Sequence, residues 1–312
     1  MLYKKLETLE DRKNLPLNGP DNYRVMDNII YTRAIEINAV RQCNLSCRSC
    51  SHSSPIASCS EYNFIDIEKD LLNLSKYLHS EFVRLLGGEP LLHSNLLNVL
   101  KAIKRTNISD KICLVTNGLL LDNITDDMLK YIDKIEISMY PLNKSILQKI
   151  KNNALRLSKK GVKVRILEYS DFRESIVQHS TNNHDLKQLV YETCQVAHNW
   201  RCITVDNNRI YRCPQSMIYS ENNNNYLDSI CISEISNIYD LLDFLENNYY
   251  LSSCSCCLGS VGKKINHQQV KRNEWFNMLP KSMEDGIDEE YAKTLVKKMD
   301  FKSDCLKRKN LN

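Results

Sequence analysis

The chain has 312 residues, 42% hydrophobic and 26% charged, with 42 basic against 38 acidic side chains and a formal net charge of +4. So even a balance provides no basic surface for nucleic acid, and no run reaches the roughly 18 apolar residues that a membrane span needs. The charge-alternating start, Met1 to Lys13, lacks the apolar centre of a signal peptide. A reducing, cytoplasmic setting is therefore expected, where 13 cysteines read as metal or cluster ligands rather than disulfides.

Residues 1–32 are polar and broken by Pro16, Gly19 and Pro20, which reads as an irregular N-terminal extension. Strands and helices then alternate. Arg33–Val40 alternates apolar and polar side chains and runs into a knot of cysteines. Ile65–Leu78 has apolar residues at helical spacing, and Phe82–Leu86 is a short strand ending in Gly87-Gly88. Helix Leu96–Ile103, strand Ile112–Val115, helix Asp126–Ile132, strand Ile135–Met139, helix Ile146–Leu157 and strand Val162–Leu167 follow.

Five such units predict a parallel α/β sheet, a partial (β/α)6 barrel whose sixth strand has no clear position in the sequence. Chemistry in such folds gathers at the C-terminal strand ends. Cys43, Gly87, Asn117, Tyr140 and Glu168 all fall at such ends.

Beyond residue 184 the pattern changes to a smaller α+β module. Asp185–Glu192 is helical, and Cys202–Val205 and Arg209–Cys213 form a hairpin about Asp206-Asn207-Asn208. A polar loop at Glu221–Asn225 and a helix at Ile238–Leu245 precede Cys254-Ser-Cys256-Cys257. Asp288–Met299 is an amphipathic helix through Tyr291, Leu295, Val296 and Met299, and Leu306–Lys309 is a basic end.

The first knot is Cys43-Asn-Leu-Ser-Cys47-Arg-Ser-Cys50. A 4Fe–4S cube normally takes four thiolates, so three in one tight run leave one iron open. S-adenosylmethionine (SAM) can chelate that iron and be cleaved to a 5′-deoxyadenosyl radical. A zinc site would prefer two-residue gaps and four ligands. Gly87-Gly88-Glu89-Pro90 follows the second strand: the glycines allow close approach to backbone, and Glu89 can accept from an ammonium group. Asn117, in Thr116-Asn117-Gly118, and Ser138 are placed to bond a ribose or a substrate.

On these motifs and their strand order the segment 33–170 resembles the radical SAM superfamily. The resemblance implies a catalytic 4Fe–4S cluster on Cys43, Cys47 and Cys50, with SAM held by Gly87, Gly88, Glu89, Pro90, Asn117 and Ser138. Ser49 departs from it, since the family often has an aromatic residue there. The second cysteine group resembles the SPASM and twitch auxiliary-cluster modules, which flank a hairpin with cysteines and add more after a helix. That implies a second 4Fe–4S cluster on Cys213, Cys254 and Cys257, completed by Cys194 or Cys202, with Cys256 able to replace a neighbour and zinc as the alternative. Cys305 is the one cysteine further downstream. Asn208 stands where the family hairpin usually has glycine, and asparagine tolerates the left-handed conformation.

The remaining residues read blandly. Cys113 and Cys231 are expected in the core and Cys59 in a loop, while His52 and His93 are expected to be structural or solvated. The expected organisation is a 1–32 extension, a 33–183 radical SAM core, a 184–265 auxiliary module and a 266–312 helical tail. The expected activity is hydrogen abstraction from a small polar molecule such as a sugar, aminocyclitol or nucleotide, with Tyr140, Arg165 and Glu168 as contacts. An external electron donor such as flavodoxin or ferredoxin is the expected partner. The rivals are modification of a peptide or protein side chain, which in related enzymes often comes with a longer N-terminal domain, and a non-catalytic iron–sulfur or zinc protein.

Overall fold

The computed structural model describes residues 9, 12–17 and 22–298. Cys305, the basic end and Met299 lie outside the described residues. The strands are β1 (Arg24–Met26), β2 (Ile29–Val40), β3 (Leu78–Gly87), β4 (Ser109–Thr116), β5 (Lys134–Met139), β6 (Lys163–Glu168), β7 (Asp171–Arg173), β8 (Ile203–Asp206), β9 (Arg209–Tyr211), β10 (Ser229–Cys231) and β11 (Lys264–Asn266). The helices are α1 (Phe64–Leu74), α2 (Leu96–Arg105), α3 (Asp126–Leu129), α4 (Lys144–Lys159), α5 (His184–Glu192), α6 (Pro214–Asn223), α7 (Ile238–Leu245) and α8 (Met283–Gly286). Residues 289–298 are also helical, and Leu295 is buried there while Val296 is exposed.

The main sheet has the order β10-β9-β8-β2-β3-β4-β5-β6, with β1 on β2. Strands β8, β2, β3, β4, β5 and β6 are parallel. This is the open α/β sheet of a partial barrel, and it holds six parallel strands as expected. The sixth, however, is half of the hairpin assigned to the C-terminal module. It joins beside the first strand, at the opposite edge from β6, with Glu36 opposite Thr204. The sheet therefore runs across the expected boundary at 183/184. Sequence spacing hides this because a strand of four residues carries no signal about which edge it will join.

Several bounds also differ. Ile29–Thr32 belongs to β2, reached through a tight turn at Asp27 and Asn28, both in the left-handed region. Helix α1 ends at Leu74 because Leu78 already pairs with Ile30 in β3. The expected polar loop at 221–225 is partly the last turn of α6, ended by Asn224 at φ 48°.

The two faces of the sheet divide cleanly by strand alternation. Ile35, Ile37, Val83, Leu85, Ile112, Leu114, Ile135 and Ile137 join Ile67, Leu71, Leu100, Ile103, Ile150 and Leu157 of the helices in one core. The other face is charged: Arg84 bridges Glu36 at 3.1 Å and Glu136 at 3.2 Å, and Arg165 stands opposite Glu136 in the register. A second, smaller core gathers Val190, Leu258, Val261, Met283 and Ile287.

Candidate active site

The cysteine knot is the loop that leaves β2. Two neighbouring segments fix it, one from the next strand and one from far downstream. Gly88 N–H donates to Val40 O at 2.9 Å and Glu89 N–H to Gln42 O at 3.0 Å, so the chain after β3 is laced to the start of the loop. A Cβ on Gly87, at φ +134°, would come within 2.3 Å of Val40 O, and one on Gly88 within 2.0 Å of Gln42 O. On the side where a Cβ would stand, these glycines are met by the backbone that leads to Cys43.

The Glu89 carboxylate is fully buried and accepts from Leu91 N–H at 3.1 Å, Thr116 Oγ1 at 2.7 Å and Asn117 N–H at 2.8 Å. It ties the ends of β3 and β4 together. Burial outweighs those donors and pushes its pKa up to about 7. Pro90 opens the short turn that Glu89 caps. Asn117 is thereby aimed at the knot, and its Nδ2 donates to Asn44 Oδ1 at 2.7 Å and stands 3.6 Å from Cys43 Sγ.

The downstream segment 264–275 is not helical tail but a strap across the knot. Arg48 N–H donates to Gln268 O at 2.9 Å, Val270 N–H to Ser46 O at 2.9 Å, and Trp275 Nε1 to Cys47 O at 2.9 Å. Gln269 Nε2 donates to Cys47 Sγ at 3.3 Å, and His267 Nε2 lies 3.1 Å from the same sulfur. Tyr140 stacks on His267 with centroids 4.8 Å apart and an interplanar angle of 7°. The Tyr140 hydroxyl bonds to Ser138, and burial next to Cys47, Cys50 and Cys43 raises its pKa. Tyr140 and Ser138 thus reach the knot.

Arg165 lies on the charged face, largely exposed. Glu168 does not reach the mouth: alternation puts it on the helix side, where it faces Lys151 of α4 at 3.5 Å.

Ser49 stands at φ 55° and is 2% exposed, and its hydroxyl donates to Glu174, which also pairs with Arg48 at 2.7 Å. An inward hydroxyl, tied to a buried carboxylate, occupies the place where the family often has an aromatic ring. Burial pushes the Cys43 thiol up to about 11 and the Cys47 thiol to about 12. Three soft sulfurs on one loop, two of them within reach of N–H groups, fit a cluster that needs thiolates with hydrogen bonds to its sulfurs.

In the second group, Cys194, Cys213, Cys254 and Cys257 are electrostatic neighbours, with Cys213 and Cys254 packed in one apolar cluster. Burial pushes Cys213 up to about 11 and Cys254 and Cys257 well above an ordinary thiol. Cys202 is directed to the charged face and donates to Glu36, and Cys256 faces Ser253 O at 3.6 Å. Among the described residues, no three His, Cys, Asp or Glu side chains converge as ligands of a single metal ion do.

Among the lone residues, Cys113 is core and Cys59 is exposed, as read from sequence. Cys231 is only half-buried, on edge strand β10, and its sulfur accepts from Asn208 Nδ2 at 3.2 Å. His93 is structural, bonded through Nε2 to Tyr62 O at 3.1 Å and accepting at Nδ1 from Asn95 N–H at 2.9 Å. His52 is held neutral, its pKa lowered to about 4 by burial and by Arg41 and Arg84. The residues that sequence reasoning missed are His267, Gln269 and Trp275. They follow no motif and lie more than 200 residues from the sulfurs and carbonyls they serve.

Residues 37–165 match the family profile of the radical SAM superfamily. The match begins on β2, spans the knot and ends on β6, so this segment carries a radical SAM domain. That match implies a 4Fe–4S cluster and SAM as cofactors. Among particular relatives, the chain is 29% identical over 175 residues to GTP 3′,8-cyclase of Synechocystis sp., covering 51% of this chain and 49% of the relative. It is 30% identical over 135 residues to GTP 3′,8-cyclase of Aquifex aeolicus, covering 40% of each. The chain spans about half the length of the curated relatives it matches. Of solved structures, BtrN in complex with AdoMet and 2-DOIA aligns at 18% identity and a TM-score of 0.43, over 80% of this chain and 87% of that one. Streptococcus suis SuiB aligns at 24% identity and a TM-score of 0.35, over 45% and 33%. Among the described residues no helix is long and apolar enough to cross a membrane.

Proposed function

We propose that this chain cleaves SAM reductively and uses the resulting radical to take hydrogen from a carbon of a small polar molecule. The observation that carries the reading is the knot itself: Cys43, Cys47 and Cys50 on one loop, with side-chain N–H groups of Asn117 and Gln269 directed at Cys43 and Cys47. A bound 4Fe–4S cluster supplies the electron that breaks a carbon–sulfur bond of SAM.

The chain's own residues hold and shield that centre. Gly87 and Gly88 allow β3 to pack against the knot, Glu89 fixes Asn117, and Tyr140 with Ser138 closes the side toward β5. The strap 264–275 excludes water from Cys47, which is 7% exposed. A low-potential donor such as flavodoxin or ferredoxin would deliver the electron.

Cys194, Cys213, Cys254 and Cys257 are the four we assign to a second, auxiliary 4Fe–4S cluster in a twitch-like module. A cube spreads its thiolates over separate corners, so it needs neighbouring cysteines rather than the convergence that zinc requires. Such a cluster would accept an electron from a substrate radical and make the net reaction an oxidation.

Anaerobic reconstitution should then yield about eight irons per chain. The Cys43→Ala, Cys47→Ala, Cys50→Ala triple variant should keep about four and form no 5′-deoxyadenosine under dithionite. Formation of 5′-deoxyadenosine by that variant would end the proposal.

A further inference from the structure

A cavity of about 200 Å³ lies between the two cysteine groups. One wall is the turn just after Cys50, with Ser51 and Ser53, and another contains Cys256 and Cys257. Helix α6, which starts directly after Cys213, supplies a third through Gln215, Ile218, Tyr219 and Asn222. Those positions repeat at helical spacing and form one face of α6, while Ser216, Met217 and Ser220 are buried on another.

The lining has a definite chemistry. None of its residues is Lys, Arg, His, Asp or Glu. It offers carboxamides, serine hydroxyls and a phenol, with Ile56 and the half-exposed ring of Phe276 as apolar surface. Among the described residues, none donates to or accepts from the Gln215 and Asn222 side chains, so both carboxamides are open to a ligand.

Phosphates are bound by Arg forks, Lys or converging backbone N–H groups, and a cavity without a cationic side chain leaves a triphosphate uncompensated. The volume also falls below the roughly 300–1,000 Å³ of sites for drug-sized ligands. Neutral hydroxyls match carboxamides and serines in both donor and acceptor roles, and the C–H face of a saturated ring matches Phe276 and Ile56.

We infer that this cavity is a binding site for an uncharged, hydroxyl-rich ring of monosaccharide or cyclitol size, not for a nucleoside phosphate or a peptide. The inference rests on the radical SAM reading for its link to catalysis, since a ring held there lies between the turn that follows Cys50 and the pair Cys256 and Cys257. Binding itself needs no such link.

The test is saturation-transfer NMR on the reconstituted holoenzyme with three probes, D-glucose, myo-inositol and GTP. Saturation should reach ring protons of the sugar or the cyclitol, and GTP should neither show it nor displace them. A Gln215→Leu, Asn222→Leu double variant should bind the ring roughly tenfold or more weakly, as expected for lost hydrogen bonds. Tyr219→Phe, which removes one oxygen from the same wall, should weaken binding in the same direction and guards against loss through misfolding. Binding of GTP that depends on Gln215, ring binding unchanged in both variants, or no binding of either ring would each overturn the inference. Wild-type 5′-deoxyadenosine formation is measured in parallel. Its absence would count against the radical chemistry and leave the binding result readable.

Discussion

His267 Nε2 stands 3.1 Å from Cys47 Sγ, joining positions 220 residues apart in the chain. The ring is fixed between Tyr140, stacked at 4.8 Å, and the edge of Phe172 at 4.9 Å. With Gln269 on the same sulfur at 3.3 Å, the strap holds two side chains against one ligand of the proposed cluster.

Hydrogen bonds to cluster sulfur favour the reduced, more negative state. Replacing His267 and Gln269 by Ala should therefore lower the reduction potential of the catalytic cluster. A donor worth about 1 kcal/mol more to the reduced form corresponds to roughly 40 mV for one electron. Redox titration followed by EPR measures this, and an unchanged midpoint would show that the strap only covers the knot.

Cys194 and Cys202 flank the same turn; Cys194 acts electrostatically on Cys213, whereas Cys202 bonds to Glu36. Cys194→Ala should lose the auxiliary cluster, leaving about four irons per chain. Cys202→Ala should keep both clusters. Iron and sulfide analysis decides, and equal iron loss in the two variants would reject this choice of ligand.

Gly88→Ala should be strongly disruptive, because its Cβ would lie 2.0 Å from the Gln42 carbonyl oxygen. Forcing apart β3 and the knot costs about 1–3 kcal/mol, as overpacking does. A lowered thermal midpoint of the apoprotein, together with weaker iron retention after reconstitution, would be the result. A midpoint equal to that of the wild type would contradict the close packing seen here.

Glu89 gives a pH dependence. Its carboxyl is raised from 4.5 to about 7 by burial, so the folded state binds its proton more tightly than the unfolded chain. The stability it contributes is complete below about pH 4.5 and is lost as pH rises through about 7. Urea midpoints of the apoprotein should fall across that window, and Glu89→Gln should flatten the fall. A slope that persists unchanged in that variant would assign it to other carboxyls.

The three-cysteine spacing, the glycine pair and the alternation of strands with helices were all legible in the chain, because each depends on residues only a few positions apart. Five strands and the helices between them follow from periods of two and 3.6. Even Asn208, at φ 58°, was readable as a left-handed turn residue. Glu168 was misplaced by a single step of alternation: it ends a strand, but its side chain points to Lys151 on the helix side.

Sequence by itself determined the cysteine-rich loop, its place at a strand end and the class of protein that carries it. Tertiary structure alone decided that β8 joins beside β2, that Cys194 lies in the electrostatic neighbourhood of Cys213, and that His267 and Gln269 reach Cys47. It also decided that Gly87, Gly88 and Glu89 serve the backbone of the knot. The physical reason is range. Spacing and propensity are local, whereas strand pairing, burial and a hydrogen bond across 220 residues are set only when the whole chain packs.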